Sequence, residues 1–214
     1  MTRPVVIPAL LASNYDEFRR KVKVISGCVA LAQIDVMDGQ FVRPVTFYDS
    51  QKISRLRTPL KYELHLMVKN PAAVIKQWRG SKKIKRVYVQ AEAGKTLPKL
   101  FAMIHKEHWQ VGLAVSPATS LAAIEPLVSS LDTVMFLGDR PGYGRPRPRP
   151  AMIKRAASFH RRHPRLPIAF DIGVNDQSAA ALRRAGVSLF VSGGFIFHHP
   201  QPAKAIRQLA TIIT

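Results

Sequence analysis

Short apolar runs bounded by polar or turn-forming positions recur along the chain at intervals of roughly 20 to 30 residues, a length and spacing that suit buried strands alternating with helices. They predict strands at Val5 to Ile7, Val29 to Val36, Lys61 to Met67, Ile84 to Gln90, Gln110 to Val115, Thr133 to Leu137, Pro167 to Asp171 and Val187 to Val191. The segments between them carry a different period. After Ser13 and Asn14, either of which can cap, Phe18, Val22 and Ile25 recur at helical spacing while Arg19, Arg20, Lys21 and Lys23 take other faces. Asn70-Pro71 pairs a cap with a proline tolerated in the first turn, so Ala72 to Trp78 reads as a helix. Thr96 to His105, Ser120 to Val128, Ala151 to His160, Gln177 to Ala185 and Ala203 to Ile213 follow the same rule, and Asp49 to Leu56 carries the faintest helical pattern.

Eight strand-helix repeats rich in Val, Ile and Leu predict an α/β fold in which the strands are buried on both faces. A closed TIM (β/α)8 barrel fits this better than an open sheet. At 214 residues the chain makes one such domain, spanning 1–214, only if most connections are short. Two are longer: Asp38 to Tyr48 after the second strand and Gly138 to Pro150 after the sixth. The latter reads GDRPGYGRPRPRP, whose alternating Arg and Pro favour an extended, solvated backbone.

Charge changes the picture. Lys and Arg number 33 against 13 Asp and Glu, a formal +20 that attracts polyanions and small phosphorylated ligands over long range. The basic residues crowd into Arg140 to Arg165 and Lys76 to Arg86, neither of which contains an acid. Without interleaved aromatic residues these runs read as solvated surface with nonspecific polyanion affinity rather than as a nucleic-acid reader. Cys28 is the lone cysteine, which excludes an intramolecular disulfide and cysteine-rich metal sites. No run of about 20 apolar residues exists, and MTRPVVIPALL is too short for a secretory apolar region, so a cytoplasmic protein that does not bind membranes is the expectation.

In a barrel, side chains at the carboxyl ends of the strands converge on one mouth. Asp35 ends AQID, His65 lies in YELHLM and Asp171 ends PIAFD. Two carboxylates buried together repel each other unless a cation or shared proton compensates, and a divalent metal held by Asp35, His65 and Asp171 would do so. Gln33, two residues before Asp35 on the same side of its strand, can complete the set through its amide oxygen. Mixed oxygen and nitrogen ligation suits zinc, iron, manganese or cobalt. Asp38 reads as the shaper of the DGQF turn. Glycines at the ends of the last three strands, Gly142, Gly144, Gly173, Gly193 and Gly194, suggest backbone N–H groups that enclose a phosphate, to which Arg140 can add charge.

These stretches resemble the ribulose-phosphate 3-epimerase family: IDVMDGQFV at Ile34 to Val42, ELHLMVKNP at Glu63 to Pro71, VQAEA at Val89 to Ala93, SPATSL at Ser116 to Leu121, RPGYG at Arg140 to Gly144, FDIGVN at Phe170 to Asn175 and VSGGFIF at Val191 to Phe197. The resemblance implies a TIM barrel that interconverts D-ribulose 5-phosphate and D-xylulose 5-phosphate by inversion at C3. It further implies one divalent metal held by two histidines and two aspartates, with Asp35 and Asp171 as the acid/base pair. Met37 and Met67 fall where the family places thioethers beside the intermediate, and Ser13 lies next to the family's serine positions, which are Ala9 and Ala12 here. The family commonly forms dimers or larger rings, so a homo-oligomer is implied as well.

The departures fall on the same site. Gln33 replaces the second histidine ligand, Gln90 replaces the histidine of VHAEA, Ile172 replaces a glycine, Leu137 takes the third methionine position, and RPGYGR replaces NPGFGG. Two alternatives therefore stand beside the epimerase: a related isomerase of another sugar phosphate, and a barrel that binds a sugar phosphate or a partner without turnover.

Overall fold

The computed structural model describes residues 3–142 and 144–214. Tyr143, within the RPGYG stretch, lies outside them. Eight strands, β1 (Val5–Leu10), β2 (Leu31–Met37), β3 (Lys61–Met67), β4 (Ile84–Gln90), β5 (Gln110–Val115), β6 (Thr133–Leu137), β7 (Ile168–Asp171) and β8 (Val187–Ser192), pair in parallel in sequence order and close β8 onto β1. This is the TIM barrel. β1 continues three residues past its predicted end, because Ala9 and Leu10 pair with Gln33 and Ile34. β2 begins at Leu31, since Val29 is held in an isolated bridge to Ser26.

Strand alternation sorts the side chains into two cores. Leu64, Leu66, Ile34 and Val36 pack outward against the helices. Ile7, Ala9, Tyr88, Ala114, Met135, Leu137, Ala169 and Val191 form a separate apolar plug inside the barrel. Gly112 makes that plug fit, since a Cβ there would lie 2.2 Å from the Tyr88 ring. Fully burying each Leu, Ile, Val or Phe contributes about 1.5–3 kcal/mol, which dominates the stability of such a fold.

The outer ring comprises α1 (Tyr15–Ile25), α2 (Ser50–Arg55), α3 (Pro71–Gln77), α4 (Leu97–Lys106), α5 (Leu121–Ile124), α6 (Pro150–Arg162), α7 (Ala179–Arg184), α8 (Gly194–Phe197) and α9 (Pro202–Ile213). Asn14 caps α1, Asp49 caps α2 and Asn70 caps α3, each accepting from a first-turn backbone N–H. The predicted helix from Ser120 stays α-helical only to Ile124 and continues as a 3-10 segment, Glu125–Ser130, whose Pro126 has no N–H for the regular ladder. α7 starts two residues later than its periodicity suggests, because Asn175 Oδ1 accepts from both Gln177 N and Ser178 N and holds them in a turn. Cys28 is exposed in the α1–β2 connection. Among the described residues no helix is long and apolar enough to cross a membrane.

Candidate active site

The β2–β3 ladder places Asp35 directly opposite His65, and Gln33 opposite Glu63 one layer deeper. Asp171, the last residue of β7, reaches the same point from the far wall. His65 Nδ1 lies 3.2 Å from Asp35 Oδ1 and 3.4 Å from Asp171 Oδ2. Gln33 Nε2 donates to Asp35 Oδ1 at 2.7 Å and to Asp171 Oδ2 at 3.0 Å. The other oxygen of Asp171 accepts from the Ile172 N–H at 2.7 Å. The far side of the His65 ring, Nε2, faces Gln90 Nε2 at 2.8 Å. Thr46 supports the strand end from outside, donating to the Asp35 carbonyl at 2.6 Å and accepting from Met37 N at 3.0 Å.

Burial raises the Asp35 carboxyl above its ordinary range, and the charge of Asp171 pushes in the same direction against the lowering effect of His65 and Gln33. For His65, burial favours the neutral ring, but hydrogen bonds and charges from Asp171 and Asp35 outweigh it and raise the ring to about 9. One layer below, burial pushes Glu63 up to about 7 despite its ion pair with Arg86.

The ligand atoms of Asp35, His65 and Asp171 all lie within 4.8 Å of one another and all three residues are buried. Two carboxylate oxygens and an imidazole nitrogen at this spacing fit a divalent ion, and their mutual repulsion is what such an ion relieves. The Gln33 amide joins the same cluster through Nε2, while its Oε1 is buried without a hydrogen-bond partner.

The cluster forms the floor of a cavity of about 630 Å³. Met37 and Met67, opposite each other on β2 and β3, line it together with Gly142, Gly144, Gly173, Gly193 and Gly194. The glycines are small for different reasons. At Gly173 a Cβ would lie 2.4 Å from Pro148 N, and at Gly142 it would lie 2.7 Å from Val42, so both are required by loop packing. At Gly144 a Cβ meets nothing within 4 Å, and at Gly193 and Gly194 it would make only ordinary contacts, beginning at 3.6 and 3.5 Å. These three leave backbone open toward the cavity.

Two expected pocket residues stand elsewhere. Ser13 does not line the cavity; its N–H and Oγ donate to Glu17 Oε2 at 2.8 and 2.9 Å, fastening the start of α1. Arg140 also lies outside the lining and is exposed, its N–H donating to Asp139. Asp38 holds the turn after β2, its carboxylate accepting from the N–H groups of Gln40, Phe41 and Lys69. The structure adds Lys21, Arg145 and Asn175 to the lining. Arg145 is braced by Asp139 at 2.7 Å, and Asn175 donates to the Pro146 carbonyl. Lys21 is one of several basic positions on α1, and nothing in its spacing separates it from the exposed ones.

A closed parallel barrel carrying carboxylates and an imidazole on its strand ends, under a glycine-rimmed cavity, has the layout of a barrel enzyme. The chain belongs to the Ribulose-phosphate 3 epimerase family, whose profile matches residues 5–197. It is 28% identical over 213 residues to the ribulose-phosphate 3-epimerase of Bacillus subtilis, covering 95% of this chain and 97% of that one. It is 26% identical over 216 residues to the corresponding protein of Helicobacter pylori, covering 97% of each. Among solved structures the fold is similar to 3-keto-L-gulonate-6-phosphate decarboxylase from Vibrio cholerae, with a TM-score of 0.76 at 11% identity, covering 99% of this chain and 98% of that one. It is also similar to 3-hexulose-6-phosphate synthase from Salmonella typhimurium, with a TM-score of 0.74 at 14% identity, covering 98% of each chain.

Proposed function

We propose that the protein inverts C3 of a pentulose 5-phosphate, interconverting D-ribulose 5-phosphate and D-xylulose 5-phosphate. The observation that carries this reading is the convergence of Asp35, His65 and Asp171, from three separate strands, on the floor of one glycine-rimmed cavity. The substrate phosphate lies against the open backbone at Gly144, Gly193 and Gly194, which leaves the ketose end over the carboxylates.

Asp35 and Asp171 stand on strands that approach the cavity from different walls. One carboxylate takes the C3 proton and the other returns a proton to the opposite face, which is the requirement for inversion. The Ile172 N–H orients Asp171. His65, Asp35 and Asp171, with Gln33 as the fourth donor, would hold a divalent ion of the zinc, iron, manganese or cobalt class. When bound, that ion supplies charge stabilisation for the oxygen that becomes negative as the C3 proton leaves. Met37 and Met67 keep water from that side of the cavity.

A second reading, a barrel that binds the sugar phosphate without turning it over, draws on the Gln33 amide nitrogen lying between the two carboxylates. One experiment separates them. With ribulose 5-phosphate in deuterated water, NMR is expected to show xylulose 5-phosphate with deuterium at C3. Asp35→Asn and Asp171→Asn are each expected to slow this about 10²- to 10⁴-fold. Line broadening of the sugar phosphate with no deuterium uptake would establish the second reading and overturn the first.

A further inference from the structure

Gln33 contributes more to the cluster than a fourth donor atom. Its Nε2 carries two protons, and they go to the same two carboxylate oxygens that His65 Nδ1 approaches at 3.2 and 3.4 Å: 2.7 Å to Asp35 Oδ1 and 3.0 Å to Asp171 Oδ2. Its Oε1 is buried and has no hydrogen-bond partner. An amide at this position therefore satisfies the anions at the expense of its own acceptor, the reverse of what a ligand to a cation does. The side chain is fully buried, so water cannot take over the bridge. An imidazole nitrogen carries a single proton, so the one at His65 Nδ1 must be shared between the two carboxylates, whereas the amide gives each its own.

We infer that Gln33 is a built-in substitute for a cation: its amide protons tie Asp35 to Asp171 and keep the metal-free barrel mouth intact, and a half turn of the same amide presents Oε1 when a divalent ion enters. The inference rests on the divalent-ion reading above. Turning Oε1 toward two carboxylates is unfavourable by itself, because three oxygens then face one another with only the His65 Nδ1 proton among them. The turned state forms only with the ion, and the ion must displace two charge-assisted hydrogen bonds to get in. The protein is thus built to tolerate loss and re-entry of its metal, holding a folded, substrate-accessible site in both conditions.

The test compares thermal unfolding of chelator-treated protein with and without added manganese or zinc. Wild type is expected to unfold cooperatively after chelation and to gain little on adding the ion. Gln33→Met, similar in length and without protons to donate, leaves the carboxylates with the His65 Nδ1 proton alone and is expected to lower the melting temperature of chelated protein by about 4 °C or more. Gln33→Glu adds a third carboxylate, so its chelated form is expected to fall further and its gain on adding the ion to exceed that of wild type. A chelated Gln33→Met protein as stable as chelated wild type overturns the inference. If no ion stabilises any variant, including Gln33→Glu, the divalent-ion reading fails instead, and the chelated comparison still decides the role of the amide.

Discussion

Arg86 donates to Glu63 Oε2 at 2.9 Å inside the barrel, one layer below the Asp35–His65 pair, and both residues are almost fully buried. The guanidinium also donates to Gln110 Oε1 and to the Tyr88 hydroxyl, so Arg86 is the hub of a hydrogen-bonded network that spans β3, β4 and β5. Removing the cation strands a buried carboxylate. Arg86→Met is expected to destabilise the protein by about 3–5 kcal/mol, and combining it with Glu63→Leu to recover most of the loss. Denaturant unfolding of the single and double variants checks both halves.

Ile172 is a β-branched residue at φ 69°, a left-handed backbone that costs an L-residue about 1–2 kcal/mol. Its side chain packs against the plug inside the barrel. Ile172→Ala keeps the strain and loses the packing, whereas Ile172→Gly loses the packing and releases the strain. The glycine variant is therefore expected to be the more stable of the two by about 1 kcal/mol, inverting the usual ranking. Urea titration of the pair measures it.

At Gly194 a Cβ would meet His198 at 3.5 Å, an ordinary contact, so the fold has room for alanine. Gly194→Ala is expected to leave the melting temperature unchanged or slightly higher. It is expected to raise KM for the sugar phosphate about tenfold or more, the scale of losing one hydrogen bond to a charged group. A KM equal to wild type would remove Gly194 from the phosphate contact.

Glu17 is held at about 2, below its ordinary 4.5, first by its hydrogen bond to Lys21 and then by the Ser13 N–H. A carboxyl lowered in the folded state adds stability that is complete above pH 4.5 and disappears as pH falls through 2. Glu17→Gln lacks that contribution throughout. The gap between wild type and Glu17→Gln in melting temperature is expected to be constant above about pH 5 and to close by about pH 2.

The barrel was legible because parallel strands buried on both faces leave unbroken apolar runs, and the ends of most runs coincide with the ends of the strands. Asp35, His65 and Asp171 could be read for the same reason: each closes or interrupts such a run at a position whose direction is set by strand parity. The loops obey no comparable rule. Ser13 and Arg140 look like pocket residues in sequence, yet a neighbouring carboxylate claims each backbone N–H, Glu17 for one and Asp139 for the other. Lys21 and Arg145 reach the cavity through one helix and one proline-rich loop whose courses depend on tertiary contacts. The sequence also shows an amide at Gln33 and at Gln90, but which end of each amide meets its neighbours is decided by the cluster and not by the residue.

Asp35, His65 and Gln33 hang on a hydrogen-bonded ladder that has no free edge, because β8 closes onto β1. Local fraying cannot start at such a ladder, so the amide protons flanking these side chains are expected to exchange with solvent only when the whole domain opens. The rim glycines stand outside that ladder, four in connections and Gly194 in the first turn of α8, where exchange needs only local opening. Rigidity and adaptability are thereby divided between the staves and the lip of one vessel, and under the proposed function a hydrogen-exchange map of this protein doubles as a map of which parts do chemistry and which parts greet the ligand.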